Sequence, residues 1–329
     1  MKYLLIVDNP TVGLVMAAYN SLSFIEESIQ SIMNQDFTDF ACCIVDDGST
    51  DGTNDVAREL VRNDNRFMVV EQHHSGVSAA RNFGASQLPE TKYLSFPDSD
   101  DVWRSDALRT LVESAELFGG VGAHALADEI DSTGAPLEPG VSAQFQRERF
   151  VAGYLRKHAV PLDSPSTFES LVQSCTLYPP GLVLTRRDVF EKVSGFDLSL
   201  WQSEDWDLYI RISRNGDYAF VNEVVVDYRR HSDQSTKYPW IKEMDMVVRA
   251  KTLLSPFNTP LQRKAALKVW RSWTFLSPLR QGHSALGRLK QRQFEEAATA
   301  LRGIPKEFLR CLTGPGHVQI PERYSISGK

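Results

Sequence analysis

Apolar runs and helix-period segments alternate along the first part of the chain. Val12–Tyr19 is an apolar run that predicts a strand, and Ser23–Met33 has the periodicity of an amphipathic helix. Ser23 together with Glu26 predicts a capping box at the start of that helix. The alternation continues with predicted strands at 40–46, 67–71 and 93–97 and predicted helices at 53–63 and 77–86. It predicts an α/β fold with a parallel sheet covered on both faces, because parallel neighbours need crossover connections.

Polar clusters follow the predicted strands directly. The segments are AYN after the first strand, DDGSTDGT after the second, HHSGVSAARN after the third and DSDD after the fourth. Ligands of open α/β sheets bind beyond the carboxyl ends of the strands, so we expect the four segments to form one crevice. No Gly-x-Gly-x-x-Gly follows the first strand, and no glycine-rich loop with lysine occurs. The sequence therefore gives no support to a dinucleotide enzyme or a phosphate-loop NTPase.

Composition and charge narrow the class of protein. The chain has 329 residues, of which 42% are hydrophobic and 24% charged, as is typical of a globular protein with a full-sized core. A net charge of −6 gives no reason to expect a nucleic-acid partner. The four cysteines have neither metal-ligand spacing nor the density of a disulfide scaffold, which favours buried thiols in a reducing compartment. The apolar run Tyr3–Val7 is too short for a signal peptide or a membrane span, so we expect a cytoplasmic protein with at most peripheral membrane contact.

The segment SFPDSDDVW places Asp98, Asp100 and Asp101 at the end of an apolar run. Like charges at such short separation repel one another unless a cation or a proton resolves the conflict. Mg²⁺ and Mn²⁺ are hard cations that bind a few carboxylates together with phosphate oxygens. We therefore expect a nucleotide that is held through carboxylates and a divalent metal.

Four ordered motifs resemble those of the family 2 glycosyltransferases, which are inverting nucleotide-sugar enzymes of the GT-A fold. They are VMAAYNSLSFIEESIQSIMNQDFTDFACCIVDDGSTDGT, GVSAARNFG, FPDSDD and SEDWDLYIRI. The resemblance covers Val12–His231 and implies a mixed, mostly parallel sheet with a Rossmann-like nucleotide-binding half. The domain hypothesis is a GT-A catalytic domain at 1–236, with a nucleotide-binding half at 12–118 and an acceptor half at 119–236. A helical C-terminal extension follows at 237–329.

The resemblance assigns donor-binding roles to three residues. Tyr19 corresponds to the aromatic residue on which the nucleotide base stacks, and a tyrosine ring offers a flat apolar face there. Asp47 corresponds to the acid that accepts a hydrogen bond from the ring N–H of the base. Arg81 corresponds to the arginine of the nucleotide pocket, where a guanidinium can contact the base or the diphosphate.

The same resemblance assigns the metal site. Asp98 and Asp100 correspond to the family's Asp-x-Asp motif, which implies that both contact Mg²⁺ or Mn²⁺ and the donor, with Asp100 as a direct metal ligand. Asp101 has two open interpretations, as a carboxylate that supports these ligands or as the cap of the following helix. His231 corresponds to a family histidine that contacts the metal or the diphosphate.

Asp205 corresponds to the catalytic base, and a position at the start of a helix favours the carboxylate form. On spacing alone, the alternative is that Glu204, Asp205 and Asp207 simply cap the helix. With the resemblance, Glu204 is expected at the substrate site, where it would orient the loop. His73 and His74 match no family role, and we predict both to be structural.

The resemblance implies transfer of a sugar from a nucleotide-sugar to an acceptor hydroxyl, in polysaccharide or glycolipid biosynthesis. Uridine is the commonest base in the family, so a UDP-sugar donor is expected, with a saccharide or a lipid-linked acceptor. The segment 120–180 follows no motif and leaves the acceptor open. One alternative is a nucleotidyltransferase, which would need a basic glycine-rich loop near the start of the chain. The other alternative is a sugar-nucleotide-binding module without catalytic activity.

The charge is distributed unevenly along the chain. Residues 261–310 have a net charge of +8, which leaves −14 for the remainder. Apolar residues at helical spacing predict two amphipathic stripes in this basic segment, namely Ala266, Val269, Trp270 and Trp273, and then Leu286, Leu289, Ala297 and Leu301. Such a segment can lie on an anionic membrane surface at the inner face of the membrane. Alternatively, it can pack on the acidic catalytic domain or form a homodimer.

Overall fold

A central sheet organises the protein, seen here in a computed structural model that describes residues 9–137, 141–152, 157–232, 234 and 241–273. The strands are β1 Val12–Ala18, β2 Phe40–Asp46, β3 Phe67–Glu71, β4 Tyr93–Ser95, β5 Val102–Trp103, β6 Gly122–Asp131, β7 Phe150–Ala152, β8 Lys157–Ala159, β9 Val183–Arg186 and β10 Tyr218–Arg230. The helices are α1 Ile25–Met33, α2 Thr53–Val61, α3 Val77–Gln87, α4 Ala107–Phe118, α5 Val141–Arg147, α6 Phe168–Leu171, α7 Arg187–Lys192, α8 Glu204–Ile212, α9 Ile241–Leu254 and α10 260–273.

The sheet is mixed and mostly parallel, as the resemblance to the GT-A fold implies. Eight strands lie in the order β3-β2-β1-β4-β9-β6-β10-β5, and β7 pairs with β8 in a separate hairpin. The pairs β3–β2, β2–β1 and β1–β4 are parallel, whereas β9 runs antiparallel to both of its neighbours. The carboxyl ends of β1, β2, β3 and β4 therefore meet at one edge of the sheet, where the polar clusters lie.

The central strands are buried on both faces, which explains their nearly continuous apolar sequences. Every residue of β2 is buried, including Cys42 and Cys43, which are free thiols as predicted. Helix α3 packs tightly on β1 and β2 because Gly84 has no side chain. A Cβ atom at Gly84 would lie 2.3 Å from Val15 Cγ1 and 2.8 Å from Val45 Cγ2. This close approach fixes α3 relative to the sheet and, with it, the position of its polar residues.

Helix α1 begins later than the sequence predicts. The first residue of the helix is Ile25, and the flanking Phe24 makes no side-chain capping bond. The backbone N–H groups of Phe24 and Ile25 both donate to the carbonyl of Ser21 at 2.9 Å. The capping box predicted for Ser23 and Glu26 is therefore wrong, because a backbone-bonded turn precedes the helix instead.

The C-terminal extension is helical where the structure describes it. Helix α10 buries Ala266, Val269 and Trp270, and Trp273 packs against the main core. The first predicted apolar stripe is thus covered by protein. The second stripe, at 286–301, lies outside the described residues. No described helix has the length and apolar character needed to cross a membrane.

Candidate functional site

The polar segments that follow β1, β2 and β4 lie together at the carboxyl ends of these strands. The N–H of Asp47 donates to the carbonyl of Ala18 at 2.8 Å, which joins the ends of the first two strands. A parallel bridge between Ala17 and Asp98 continues the β1–β4 pairing beyond the last residue of β4. These backbone bonds place Tyr19, Asp47 and Asp98 along one rim.

Arg81 connects this rim to the first residue of helix α8. Its Nη2 lies 2.7 Å from Asp98 Oδ1 and its Nη1 lies 2.8 Å from Glu204 Oε1. The guanidinium is buried and lies over the ring of Phe196. Burial alone would lower the pKa of Arg81, but the charges of Asp98, Glu204 and Asp205 outweigh it and raise the pKa. A permanently charged arginine therefore holds the two acidic segments together.

Asp98, Asp100 and Asp101 form the acidic cluster, in which one carboxylate oxygen from each lies within 4.8 Å of the others. Burial raises the pKa of Asp98 to about 6, with Asp100 adding to the rise and Arg81 opposing it. Burial and the charges of Asp100 and Asp98 raise the pKa of Asp101 well above its usual range. Burial and mutual repulsion therefore disfavour the charged forms of these carboxyl groups.

The contacts of the acidic cluster fit a divalent cation. Asp101 Oδ1 accepts the N–H of Arg229 at 3.0 Å, whereas its buried Oδ2 has no hydrogen-bond partner among the described residues. An orphaned carboxylate oxygen beside two further carboxylates is a suitable donor set for Mg²⁺ or Mn²⁺. Helix α4 begins only at Ala107, after Asp106. The interpretation of Asp101 as a helix cap is therefore wrong, and its interpretation as a carboxylate that supports the metal ligands stays a prediction.

His231 lies at the outer side of the acidic cluster. Its Nε2 is 2.8 Å from Asp100 Oδ2, and its ring packs against Phe24 at 4.7 Å between centroids. Arg229, two residues earlier, donates from Nε to the backbone carbonyl of Asp100 at 2.8 Å and from Nη2 to Glu27. Strand β10 thus positions both the side chain and the backbone of Asp100.

Asp205 is the second residue of helix α8. Its Oδ1 accepts the N–H of Trp206 at 2.7 Å. The pKa of Asp205 is raised to about 7, first by burial and then by the charge of Glu204, while Arg81 opposes the rise. Ser203, before the helix, has a left-handed backbone with φ of 56°, which is uncommon for a residue other than glycine. A carboxylate with a pKa near neutrality suits a general base.

Asp207 has a different environment from Asp205. Its Oδ2 lies 2.7 Å from Arg211 Nε and its Oδ1 lies 2.9 Å from Lys251 Nζ. Lys251 also lies 2.5 Å from Asp197 Oδ2, so helix α9 is bonded to both sides of the loop that precedes α8. Two cations neutralise Asp207, which indicates a structural role.

Tyr19 and Asp47 both contact His74, for which the sequence predicts only a structural role. The ring of His74 stacks on Tyr19 with 4.1 Å between centroids and an interplanar angle of 26°. The same imidazole places Nδ1 2.9 Å from Asp47 Oδ2. The one sequence signal for this arrangement is the position of His74 just before the helix that contains Arg81.

A model of the family described as "Glycosyl transferase family 2" matches residues 14–194, more than half of the chain. The uncharacterized glycosyltransferase EpsJ of Bacillus subtilis (strain 168) is 27% identical over 241 residues, which are 72% of this chain and 66% of that protein. Chondroitin synthase of Escherichia coli is 25% identical over 239 residues, 72% of this chain and 31% of that protein. The chain spans about two thirds of the first relative's length and less of the second.

Two solved structures show the same fold. Staphylococcus aureus TarS 1-349 in complex with UDP-GlcNAc superposes with a TM-score of 0.62 at 15% identity, over 90% of this chain and 92% of that one. The mannosyltransferase PcManGT from Pyrobaculum calidifontis, in complex with GDP-Man and Mn²⁺, has a TM-score of 0.57 at 17% identity, over 93% and 76% of the two chains. The GT-A fold that the motifs implied is thereby confirmed.

Proposed function

Because the chain belongs to glycosyl transferase family 2, we propose that it transfers a sugar from a UDP-sugar to an acceptor hydroxyl, with inversion and with Mg²⁺ or Mn²⁺. The observation that supports this most directly is the double ion pair of Arg81. It joins the acidic cluster and the first turn of α8, which contains Asp205, to one guanidinium. A metal-bound diphosphate and a general base would then lie close enough to act on the same sugar.

The donor nucleotide would bind at the ends of β1 and β2. Tyr19 is 47% exposed and offers a ring face to the base, and Asp47 offers a carboxylate to a ring N–H. The UDP-GlcNAc complex of TarS, which has the same fold, supports uridine as the base. Arg81 and His231 would border the diphosphate from the two sides of the acidic cluster.

Asp98 and Asp100 would hold the metal, with Asp101 beside them. When bound, the cation would neutralise the charge that develops on the departing diphosphate. The Mn²⁺ in the PcManGT complex supports this choice of metal. Around the metal, His231 would keep Asp100 oriented through the bond between Nε2 and Oδ2.

Asp205 would take the proton of the acceptor hydroxyl as that oxygen attacks the anomeric carbon. Inversion requires the acceptor to approach from the face opposite the diphosphate, and a single general base is sufficient for that displacement. The pKa of Asp205, raised to about 7 by burial and by Glu204, makes the carboxylate basic enough to accept a proton near neutral pH. Glu204 would remain paired with Arg81 and so keep the loop in place.

The acceptor would be a saccharide or a lipid-linked saccharide, in polysaccharide or glycolipid biosynthesis, which the likeness to chondroitin synthase supports. The basic residues after 273 would then bring the protein to an anionic membrane surface as a peripheral protein. Co-sedimentation with anionic vesicles at low and high salt, compared for the full chain and a chain ending at Trp273, tests this. Equal binding by the two forms would contradict it.

The donor assignment is tested by thermal shift and by turnover. We expect UDP to raise the melting temperature more in Mn²⁺ than in EDTA, and more than GDP does, because a ligand that binds the folded state stabilises it. We also expect slow release of UDP from a UDP-sugar, which Asp205→Asn abolishes without loss of UDP binding. Binding of UDP without release from any UDP-sugar or acceptor would favour a non-catalytic binding module. Absence of nucleotide binding would contradict the proposal.

A further inference from the structure

We propose that His74 closes the base site of the free protein by placing its imidazole where the nucleotide base would bind. The inference rests on the proposed function, because it takes Tyr19 and Asp47 as the base site. His74 makes both contacts expected of a base at once. Its ring stacks on Tyr19, and its Nδ1 lies at the carboxylate of Asp47. A base bound to the same two residues would occupy the same space.

The stack covers the face that the nucleotide needs. A separation of 4.1 Å between centroids and a tilt of 26° place the two rings in direct face contact. Because Tyr19 follows the last residue of β1 and the adjacent backbone is bonded to Asp47, the tyrosine is held at the rim. His74 is therefore the partner that must move when a base stacks there.

The contacts of the Asp47 carboxylate also indicate that His74 must move before a base can bind. Its carboxylate already accepts the N–H groups of Ser75 and Gly76, at 2.8 and 2.9 Å, and Nε2 of Gln72 at 2.6 Å. His74 Nδ1 lies 2.9 Å from Asp47 Oδ2 and donates to the backbone carbonyl of Asp47 at 3.2 Å. The carboxylate thus has three of its roughly four acceptor positions filled, and the imidazole lies against the fourth. Only 4% of the Asp47 side chain is accessible to solvent. A ring N–H can reach Asp47 only after a neighbour leaves, and His74 is more exposed than Gln72.

His74 can leave without unfolding the loop between β3 and α3. Its side chain is 45% exposed, whereas the loop is fixed by backbone bonds on either side of it. Gln72 N–H donates to the carbonyl of Asp46 at 2.9 Å, and the N–H groups of Ser75 and Gly76 hold Asp47. Rotation of one side chain therefore opens the base site. The closed form lowers the apparent nucleotide affinity by the fraction of molecules that are open.

The test is a calorimetric titration of UDP, in Mn²⁺, into the wild type, His74→Ala and His73→Ala. We expect His74→Ala to bind UDP about three- to tenfold more tightly, because the competing imidazole is gone. His73→Ala removes the same side chain from the neighbouring position and should bind as the wild type does. Equal or weaker binding by His74→Ala would overturn the inference. If none of the three proteins binds UDP or GDP, the proposed function itself is wrong.

A second measurement needs no nucleotide and keeps the two failures distinct. Proton NMR of the histidine ring signals, with His74 identified from the spectrum of His74→Ala, reports its stacking on an aromatic ring. We expect Tyr19→Leu to shift the His74 signal downfield, because the ring current of the tyrosine is lost. A His74 signal that is the same in the wild type and Tyr19→Leu would overturn the closed arrangement, whatever the protein binds.

Discussion

Two groups of three acids meet at Arg81, and they differ in what neutralises them. In the first turn of α8, Glu204 is paired with Arg81, and Asp207 with Arg211 and Lys251. Asp205, by contrast, accepts a backbone N–H, that of Trp206. The protein thus supplies permanent cations to the structural acids and leaves Asp205 able to exchange a proton.

The acidic cluster of Asp98, Asp100 and Asp101 contrasts with this arrangement. Arg81 is shared between Asp98 and Glu204, His231 is a cation only when protonated, and Asp101 receives a backbone N–H. The pKa of Asp98 rises to about 6 and that of Asp101 rises well above its usual range, because of burial and mutual repulsion. The cluster therefore lacks positive charge, which an external divalent cation would supply.

Asp205→Asn gives the largest expected effect. The amide keeps the shape of the side chain but cannot accept the acceptor proton, so we expect turnover to fall about 10²- to 10⁴-fold. The affinity for UDP should stay unchanged, which calorimetry checks. Wild-type turnover should rise with pH through about 7, because the active form of Asp205 is the deprotonated one. Near wild-type turnover in the variant would mean that Asp205 is not the general base. The acids of α8 would then all be structural.

Asp100→Asn tests the acidic cluster. We expect UDP affinity in Mn²⁺ to fall about 10- to 100-fold, because one of few protein ligands of the cation is lost. In EDTA the variant and the wild type should bind UDP alike. The control is Asp55→Asn, which removes an exposed acid from α2 and should leave both affinities unchanged. An equal loss with and without Mn²⁺ would mean that Asp100 acts on the donor without a metal.

Local patterns account for what the sequence predicts well. Strands β1 to β4 and helices α2 and α3 lie within a few residues of their predicted bounds, because apolar periodicity and crossover geometry are local properties. The convergence of the polar clusters follows from the parallel arrangement, since all four strands end at one edge. The α/β character of this half and the convergence of its polar segments were therefore predictable from local patterns, whereas the mixed sheet with antiparallel β9 was implied only by the family resemblance.

Contacts between distant residues account for what the sequence does not predict. The ion pair between Arg81 and Glu204 joins residues 123 positions apart, and no spacing rule indicates it. The bonds of Lys251 to α8 depend on where helix α9 packs. His74 matches no family role and is predicted to be structural, and its stacking on Tyr19 leaves no periodic signal in the sequence. Even the local capping box of Ser23 failed, since a backbone turn competed with it.

Lys251→Met tests the neutralised group through stability. It leaves the buried Asp207 with Arg211 alone, so we expect the free energy of unfolding at pH 7 to fall by about 1–2 kcal/mol, less than for a fully buried pair because Lys251 is 34% exposed. Urea denaturation measures this. Lys92→Met, which breaks the exposed pair with Glu116, is the matched control and should cost less than about 0.5 kcal/mol.

The pH dependence of the Lys251→Met effect identifies its source. Burial would raise the pKa of Asp197, but hydrogen bonds from Lys251 and Ser199 outweigh it and lower the pKa to about 2. This stabilisation is present above the unfolded pKa of about 3.9 and is lost as the pH falls towards 2. The difference in stability between the wild type and Lys251→Met should shrink over that range. A difference that stays constant would mean that packing of the lysine stem, not charge, supports α9.

Asp101→Asn gives the smallest expected effect on the free energy of unfolding. The sign of this effect distinguishes the acidic cluster from the neutralised acids of α8. In EDTA we expect the variant to be more stable than the wild type by up to about 1 kcal/mol, because a buried negative charge beside two others is removed. The amide oxygen can still accept the N–H of Arg229, so the fold should not change. Since the folded pKa of Asp101 lies above its unfolded value of about 3.9, wild-type stability falls as the pH rises from that unfolded value, and the advantage of the variant should grow over the same rise.

Mn²⁺ should reverse the order of stability of these two proteins. The cation supplies the charge that the acidic cluster lacks, and it should stabilise the wild type more than Asp101→Asn, which offers one carboxylate fewer. Urea denaturation with Mn²⁺ and with EDTA, at pH 5 and pH 8, measures both the sign and its reversal. If Asp101→Asn destabilises the protein equally in all four conditions, Asp101 is a structural acceptor for Arg229. The acidic cluster would then be neutralised within the protein, as Asp207 is, and the contrast between the two groups would disappear.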